Sequence, residues 1–422
     1  MTLIYNLGIQ LMAWLMSVAA YFSPKIRLGV EGRKGLKARL QHFKDGLPAH
    51  KPIALFHAAS LGEFEQGRPV IEAFKAQYPG YSIVLTFFSP SGYEIRKNYS
   101  GADFICYLPL DTPANSRWFV EILKPRIAFF IKYEFWYNIL QNLEQNGTLI
   151  LSFSTIFRPH QLFFKSYASF YREMLNKFDF IFVQNEESMS LLASIEHPSY
   201  GLAGDTRFDR VYSIALQAQP IASIEPFVTD LPILIAGSVW SQDMEVLITV
   251  LNQKKGRMKA IIAPHEIKPD QIQKWCEALD GKSIRYSQLP EGSLAQSDFL
   301  FIDNIGMLSS LYQYGQMAYI GGSFGAGLHN TLEAATFGLP LVFGNRAYHR
   351  FKEAIDLIGL GGAQTVSNSK ELDGVIENWL ANEAARQGAS RTNSAYILDN
   401  LGATETIMNR VDSFLLSRYG PK

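Results

Sequence analysis

The chain has 422 residues, in which 39 Lys and Arg balance 39 Asp and Glu, so its formal net charge is zero. This balance argues against a dedicated nucleic-acid-binding protein, whose phosphate contacts normally require a basic excess. Apolar residues make up 47% and charged residues 18% of the chain, which excludes disorder, and the length predicts two or three domains. Cys106 and Cys276 are too few and too far apart for a disulfide framework.

The first 24 residues contain no charged side chain, and about twenty mostly apolar positions are enough for a helix to cross a membrane. Because Asn6 and Gln10 would be costly in lipid, a buried or interfacial helix is the alternative. Between Lys25 and Asp45, seven Lys or Arg residues stand against two acidic ones, which predicts that the following chain stays in the cytoplasm. We therefore predict an N-terminal membrane-anchoring helix over residues 1–24.

From residue 50 onward, apolar runs alternate with helical stretches in two successive series. The strand candidates are 53–60, 82–89, 104–110, 126–134, 148–154 and 178–185, then 232–238, 258–265, 297–303, 317–323 and 339–345. Helices are expected between them, among others at 63–78, 243–254, 268–279, 308–314 and 331–337. This pattern is typical of parallel sheets that are covered on both faces. It predicts an α/β protein with two Rossmann-like, doubly wound domains facing a cleft, and ligands at the carboxyl ends of the strands.

Two segments without a clear helix or strand pattern set the domain boundaries. Residues 201–209 are expected to form a loop, and residues 221–232 are expected to form a linker. The first domain is therefore predicted over residues 25–220. The second is predicted over residues 221–422, with a C-terminal helix that could pack back on the first domain.

Glu63 lies in a glycine-containing turn, residues 59–63, directly after the first predicted strand. A carboxylate in this position above a parallel sheet is well placed to act as a general base. The structural alternative is a glutamate in the first turn of a helix, where the helix dipole favours a negative charge.

A glycine-rich segment at residues 320–333 is the strongest nucleotide-binding candidate. Its glycines would let the backbone approach a phosphate, and a helix that starts near Asn330 would offer unpaired N–H groups. Glu333 could then accept two ribose hydroxyls. The spacing matches neither the dinucleotide fingerprint nor the Walker A motif, so a nucleotide mono- or diphosphate in the second domain fits better than NAD in the first. A glycine-rich structural turn is the alternative.

Arg207 and His265 are less specific candidates. Arg207 could neutralise a phosphate or a carboxylate, although an ion pair with Asp205 or Asp209 explains it equally well. His265 could contact a base or a phosphate, or be an ordinary loop residue. The eight histidines show no metal-ligand spacing, so no metal site is predicted.

Taken together, these clusters and several further motifs resemble the Kdo (3-deoxy-D-manno-octulosonic acid) transferases of Gram-negative lipopolysaccharide synthesis. The motifs are H-A-A-S-L-G-E (57–63), F-S-P-S-G-Y-E (88–94), K-Y-E-F-W-Y-N (132–138), Q-N-E-E-S (184–188), G-D-T-R-F-D (204–209), D-N-I-G-M-L (303–308) and G-G-S-F-G-A-G-L-H-N-T-L-E-A-A (321–335). The resemblance implies an inverting GT-B glycosyltransferase that needs no metal or other cofactor. It also implies CMP-Kdo as donor, a lipid A precursor (lipid IVA) as acceptor, and a location at the cytoplasmic face of the inner membrane.

The resemblance also implies roles for single residues. Glu63 looks like the general base of the family, and the positions that bind CMP are Pro264, His265, Gly306, Met307, Leu308, Asn330, Thr331, Leu332 and Glu333. Arg207 and Lys132 stand where many members have a Lys and a Glu, both thought to stabilise the transition state. His265 and Met307 replace a frequent arginine and a frequent acidic residue, which weakens the expected contacts there.

Two alternatives remain open from the sequence. The chain could be another GT-B sugar-nucleotide enzyme, such as a UDP-sugar transferase or an epimerase, and preferential binding of UDP over CMP would favour that reading. It could also be a non-catalytic membrane-associated relative, which would bind nucleotide without transferring a sugar.

Overall fold

A computed structural model of the chain describes residues 1–165, 167–289 and 294–420. The chain divides into two compact units. The first comprises Met1–Arg210 together with the C-terminal segment that starts at Leu401, and the second comprises Val211–Asn400. The division between Arg210 and Val211 lies before the boundary that the sequence predicts at residue 220.

Within the described residues, the first unit is built on a seven-stranded parallel sheet. Its strands are β1 (Ile53–Ala58), β2 (Ser82–Phe87), β3 (Phe104–Tyr107), β4 (Ile127–Ile131), β5 (Leu149–Thr155), β6 (Phe180–Val183) and β7 (Tyr200–Leu202). Their order in the sheet is β3-β2-β1-β4-β5-β6-β7. Every residue of β1, β2, β4 and β5 is buried, and alternate residues of β1 enter two different hydrophobic clusters. Both faces of this sheet are therefore covered.

Ten helices accompany this sheet in the described part of the chain before the second unit. They are α1 (Thr2–Ala19), α2 (Pro24–Arg33), α3 (Leu36–Asp45), α4 (Leu61–Gln77), α5 (Pro90–Arg96), α6 (Pro113–Leu123), α7 (Tyr137–Gln145), α8 (Ser169–Leu175), α9 (Glu186–Ser194) and α10 (Thr206–Leu216). The division between the units falls inside α10.

The second unit is also built on a parallel sheet, which has seven strands among the residues described. Its strands are β8 (Ile233–Val239), β9 (Lys259–Pro264), β10 (Ser283–Arg285), β11 (Phe299–Phe301), β12 (Met317–Ile320), β13 (Leu341–Gly344) and β14 (Ala363–Val366), in the order β10-β11-β9-β8-β12-β13-β14. Its helices are α11 (Ser241–Gln253), α12 (Pro269–Ala278), α13 (Leu308–Leu311), α14 (Leu332–Thr336), α15 (Lys352–Leu360), α16 (Ser369–Ala381) and α17 (Glu383–Asp399). Short 3-10 helices occur at Leu162–Phe164, Glu225–Phe227, Tyr286–Gln288, Leu294–Gln296 and Tyr312–Tyr314.

The last helix, α18 (Ala403–Tyr419), belongs to the first unit. Its apolar face joins the hydrophobic cluster that contains α4 and one face of the first sheet, through Ile407, Met408, Val411 and Leu415. The helix begins after Gly402, and Asp209 accepts hydrogen bonds from the N–H groups of Gly402 (2.8 Å) and Thr404 (2.6 Å). A carboxylate from α10 therefore caps the start of α18.

The helix α1 is apolar on one side and attached to the first unit on the other. It is the helix in the described part of the chain that is long and apolar enough to cross a membrane. Tyr5 donates to Asp111 (2.6 Å), and Asn6 accepts from the side chain of Asn138 (2.8 Å). Large apolar side chains are exposed along the remaining face: Leu3, Ile4, Leu7, Leu11, Trp14, Leu15 and Val18.

Every strand that the sequence predicts is present, and the strands that it misses are β7, β10 and β14. All three lie at sheet edges, where one side of the strand faces no neighbour and the buried apolar run that marks a central strand is absent. The segment 201–209, expected to be a loop, contains the end of β7 and the start of α10. That expectation is wrong for these two elements.

Candidate active site

In the first unit, the strand order reverses between β1 and β4, which are neighbours at the centre of the sheet. Ligands of open parallel sheets bind outside the carboxyl ends of strands at such a reversal. The segment that follows β1 contains Glu63, and the segment that follows β4 contains Lys132 and Glu134. Both Glu134 and Lys132 interact electrostatically with Glu63, so the structure brings the predicted residues Glu63 and Lys132 together.

The carboxylate of Glu63 is held at the start of α4. Its Oε2 accepts hydrogen bonds from the N–H groups of Ala59 (2.5 Å) and Ser60 (3.2 Å). This is the capping-box arrangement, in which the third residue of a helix reaches back to the residue before it. In the part of the chain that the structure describes, Oε1 has no hydrogen-bond partner. The cap therefore fixes one oxygen and leaves the other available.

The surroundings of Glu63 make its carboxylate a stronger base than an ordinary glutamate. Burial raises the pKa of Glu63, and the neighbouring charge of Glu134 raises it further. The N–H of Ala59 and the side chains of His57 and Lys132 lower it, but less strongly, so that the net change is upward. A raised pKa suits a residue that must take a proton from a hydroxyl.

Glu134 is itself held in place by nitrogen atoms of two rings. Its Oε2 lies 3.3 Å from Nε2 of His57 and accepts a hydrogen bond from Trp136 (2.9 Å). His57 is completely buried in β1, and its Nδ1 lies 2.9 Å from the hydroxyl of Thr86. His57 and Glu134 are not among the residues that the sequence predicts for the site. A histidine inside a fully buried strand was the available signal, because such a residue requires polar partners.

Lys132 occupies a strained position at the end of β4. Its φ is 65°, in the left-handed region that non-glycine residues rarely adopt. The conformation is held by the Lys132 N–H, which donates to Phe153 O (3.0 Å), and by the hydroxyl of Thr155, which donates to Lys132 O (3.3 Å). Such strain is common where a side chain has to be directed into a site.

Arg207 forms the ion pair that the sequence analysis gave as its structural alternative. Its Nε and Nη2 lie 2.8 Å and 2.7 Å from Asp205 Oδ2, and its N–H donates to Asp205 Oδ1 (2.9 Å). Asp209, the other acidic residue of the motif, caps α18 instead. The role of Arg207 in catalysis stays a prediction.

In the second unit, the strand order reverses between β8 and β12. Asp243, at the start of α11, is fully buried and joins the two segments that follow these strands. It accepts hydrogen bonds from the N–H groups of Trp240 and Gly322 and from the hydroxyl of Tyr319, each at 2.8 Å. Burial raises the pKa of Asp243, and the three hydrogen bonds lower it by less, so that the net change is upward. Asp243, which holds the glycine-rich segment in place, is not among the residues that the sequence predicts for the site.

The predicted nucleotide-binding segments around Met307 and Asn330 meet at Glu333. Ser309 donates to Glu333 Oε2 (2.7 Å), and the side-chain amide of Asn330 donates to Glu333 Oε1 (3.0 Å). The hydroxyl of Thr331 is buried and has no hydrogen-bond partner within the described residues. The helix that follows, α14, has five residues, so its dipole is smaller than the sequence analysis expected.

Gly306, Met307 and Leu308 form the entry to α13. Gly306 has a φ of 97°, which glycine adopts readily, and Met307 precedes the first residue of the helix, Leu308. The thioether of Met307 accepts a hydrogen bond from the side chain of Asn304 (2.7 Å). The Met307 side chain is thus tied to its own loop.

His265 is part of a stack of three rings, together with Trp240 and His329. Its ring centroid lies 4.4 Å from that of Trp240 and 4.4 Å from that of His329. Trp240 Nε1 donates to His329 Nε2 (3.0 Å), and burial together with His265 lowers the pKa of His329 to about 4. His329 is therefore neutral at physiological pH. Beside Pro264, at the end of β9, the stack offers a flat surface of the kind that binds a base or a sugar ring.

No group of three or more His, Cys, Asp or Glu side chains suited to a metal ion is found in the ranges 1–165, 167–289 and 294–420.

Comparison with known proteins agrees with the motifs. Residues 34–210 match the family of 3-deoxy-D-manno-octulosonic-acid transferases (kdotransferases). The 3-deoxy-D-manno-octulosonic acid transferase of Chlamydophila psittaci is 27% identical over 340 residues, which cover 78% of this chain and 77% of that protein. The enzyme of the same name from Bordetella pertussis is 25% identical over 405 residues, which cover 91% and 93%. The predicted resemblance is confirmed.

Solved structures confirm the predicted GT-B fold. The UDP-GlcNAc 2-epimerase of Neisseria meningitidis, bound to UDP-GlcNAc, superposes with a TM-score of 0.60 at 14% identity, over 86% of this chain and all of that chain. A putative UDP-N-acetylglucosamine 2-epimerase from Listeria monocytogenes gives a TM-score of 0.58 at 11% identity, over 88% and 99%. At such identities the likeness concerns the fold alone.

Proposed function

Because residues 34–210 match the Kdo transferase family and several Kdo transferases are similar to this chain over most of its length, we propose that it moves Kdo from CMP-Kdo to a lipid A precursor, lipid IVA, with Glu63 as the general base. The observation that carries the proposal is the carboxylate of Glu63 at the strand reversal of the first sheet. One of its oxygens is held by two backbone N–H groups, and its pKa is raised by burial and by Glu134.

In the proposed reaction, a hydroxyl of the acceptor sugar attacks the anomeric carbon of CMP-Kdo. Glu63 Oε1 takes the hydroxyl proton while the new C–O bond forms, and the bond between the anomeric carbon and the phosphate oxygen breaks. CMP leaves with the electron pair, and the configuration at the anomeric carbon is inverted. General-base catalysis of this kind contributes a factor of roughly 10²–10⁴ to the rate.

The second unit is the proposed site for the donor. The rings of Trp240, His265 and His329 would support the cytosine, and Glu333 would accept the ribose hydroxyls. The segments at Pro264–His265, Gly306–Leu308 and Asn330–Glu333 complete this site in the proposal. CMP is a leaving group of low basicity, so a cation such as Arg207 and backbone N–H groups can stabilise its charge. We therefore propose a reaction that needs no metal and no other cofactor.

The N-terminal helix is the proposed attachment to the cytoplasmic face of the inner membrane. Its Tyr5 and Asn6 are hydrogen-bonded to the first unit, while Leu7 and Leu11 on another face are exposed. A helix that is bound to a folded unit along one side and apolar along the other is suited to lie in the interface plane. We propose that α1 lies on the membrane in this way and does not cross it, which brings the site to a lipid acceptor.

The test combines product analysis with variants that separate the two roles of Glu63. The variant Glu63→Gln keeps a carbonyl oxygen for the capping hydrogen bonds and loses the base. We expect it to lose transfer by about 10²–10⁴-fold, measured as the mass of the lipid product from CMP-Kdo and tetraacylated lipid A precursor, while CMP binding and thermal unfolding stay close to those of the unmodified chain.

The matched control is Glu371→Gln. Glu371 also caps the start of a helix, by accepting from the N–H of Ser367 (2.8 Å), but lies in α16, outside the proposed site. It should transfer Kdo normally. Full turnover by Glu63→Gln would refute the base assignment. A chain that forms no Kdo-lipid and binds UDP more tightly than CMP would refute the proposed donor.

A further inference from the structure

The proposed donor carries two negative charges, one on its phosphodiester and one on the carboxylate of its sugar acid. Charged oxygens taken out of water need charged or N–H partners. None of the nucleotide-binding residues predicted in the second unit has a permanent positive charge; they are Pro264, His265, Gly306, Met307, Leu308, Asn330, Thr331, Leu332 and Glu333. Any cation that pairs with the carboxylate therefore comes from another segment.

Two arginines lie in the loop that follows β13, next to the glycine-rich loop that follows β12. These strands are neighbours in the sheet, so both loops lie at the same edge. The N–H of Ala347 donates to Ser323 O (3.0 Å), and the N–H of Leu328 donates to Ala347 O (3.4 Å). These hydrogen bonds fix the backbone of Ala347, which lies between Arg346 and Arg350, relative to the glycine-rich loop.

The guanidinium of Arg350 lies against the backbone of Gly327. A Cβ at Gly327 would come within 3.1 Å of Arg350 Nη2, and the φ of Gly327, 120°, also disfavours any other residue. The guanidinium of Arg346 lies 6.0 Å from the ring centroid of Phe324, in the same loop. The absence of a side chain at Gly327 gives the arginine its place.

Both guanidinium groups are available for a ligand. The side chains of Arg346 and Arg350 are exposed, and neither has an ion pair or a hydrogen bond within the described part of the chain. In the glycine-rich loop, the N–H groups of Phe324 and Ala326 also have no acceptor among the described residues. Guanidinium groups and unpaired backbone N–H groups are the partners that carboxylate and phosphate oxygens prefer, and these two neighbouring loops supply both.

We propose that Arg346 and Arg350, together with the backbone of the glycine-rich loop at 322–327, bind the carboxylate of the sugar acid in the donor. This inference rests on the proposed function, because it takes the donor to be a CMP-linked sugar acid. It assigns the recognition of the sugar to the loop after β13 and to the glycines of the segment 320–333, whereas the nucleotide contacts that the resemblance implies in that segment are Asn330, Thr331, Leu332 and Glu333.

The experiment compares the binding of CMP and of freshly prepared CMP-Kdo to the full chain in detergent, by calorimetry. CMP lacks the sugar carboxylate. Loss of a carboxylate site should therefore weaken the binding of CMP-Kdo and leave the binding of CMP unchanged. We expect Arg346→Gln and Arg350→Gln each to weaken CMP-Kdo by at least about ten-fold and to leave CMP within two-fold. Lys352→Gln is the matched control, because it removes one positive charge from the adjacent turn, where Lys352 is ion-paired with Asp356.

Each outcome decides the proposal. Equal weakening of CMP and CMP-Kdo would overturn it in favour of a phosphate site, and unchanged binding of both would overturn the site itself, provided that thermal unfolding shows the variants to be folded. If the unmodified chain binds neither CMP nor CMP-Kdo, the proposed function fails and this inference fails with it. A selective loss for CMP-Kdo that Lys352→Gln does not reproduce supports it.

Discussion

The basicity of Glu63 depends on the charges that surround its carboxylate. Glu134, which raises the pKa of Glu63, is held in place by His57 and Trp136. Lys132, on the same segment as Glu134, lowers it. The pKa of Glu63 is therefore adjusted by one negative and one positive residue of the same loop, Glu134 and Lys132. Each of these charges can be removed by a separate substitution.

We predict that Glu134→Gln shifts the acidic limb of the pH dependence of kcat/KM to lower pH. A general base is active when deprotonated, so activity falls as the pH drops through the pKa of Glu63. Loss of the negative charge at residue 134 lowers that pKa, and Lys132→Met should shift the limb in the opposite direction. Glu121→Gln, at an exposed position of α6, serves as control. A limb that stays in place in both variants would contradict this electrostatic account.

Among single residues, the sequence predicted those whose role can be inferred from the residues next to them in the chain. Glu63 follows a recognisable buried strand, and its place at a helix start can be inferred from the turn before it. His57, Glu134 and Asp243 could not be inferred in this way, because their importance comes from partners that are distant in the chain. The stack of Trp240, His265 and His329 likewise depends on three separate loops meeting at one sheet edge.

Among the elements, α1 shows how a helix that could span a membrane by composition can be attached to a folded unit along one side. Asn6, which counted against a spanning helix in the sequence, has a partner in Asn138. The hydrogen bond between Tyr5 and Asp111 attaches the same side of the helix. The polar residues thus mark the side that faces the protein.

We predict that the double variant Leu7→Asp/Leu11→Asp binds phospholipid vesicles at least about 100-fold more weakly. Each leucine is 56% exposed, and burying one in lipid is worth about 1.5–3 kcal/mol. Co-flotation with anionic vesicles measures the loss, and the double variant Leu360→Asp/Leu398→Asp, at exposed leucines of the second unit, is the control. Undiminished flotation of the α1 variant would show that another surface binds the membrane.

A cysteine placed at Thr2 tests the orientation of α1. A helix in the interface plane keeps both ends on one side, so Thr2→Cys should react with an impermeant maleimide that is added outside the vesicles to which the protein is bound. The unmodified chain, whose Cys106 is buried and Cys276 half-buried, gives the background. Protection of residue 2 until the vesicles are opened would indicate a spanning helix.

The attachment of α18 to the first unit depends on Asp209. We predict that Asp209→Ala removes about 1 kcal/mol of local stability, so that amide hydrogen exchange in α18 becomes roughly five-fold faster. Asp230→Ala, at an exposed position in the chain segment before β8, should leave that exchange unchanged. Equal exchange in both variants would mean that the apolar face of α18 alone holds the helix.

For the whole molecule, the alternation of apolar runs and helical stretches was enough to predict two parallel α/β sheets. It could not predict how many strands each sheet has, because β7, β10 and β14 are short edge strands. Nor could local pattern assign α18 to a unit, since its apolar face fits any uncovered sheet surface. That assignment is decided by packing against α4 and by the capping hydrogen bonds from Asp209.

The return of α18 to the first unit has a consequence for the order in which the protein matures during translation. The ribosome makes residues 1–210 first, but the side chains that complete their hydrophobic cluster, Ile407, Met408, Val411 and Leu415, are made only after the entire second unit. The nascent first unit therefore presents an uncovered apolar surface, in addition to α1, throughout the synthesis of the second. The unit that begins first is finished last.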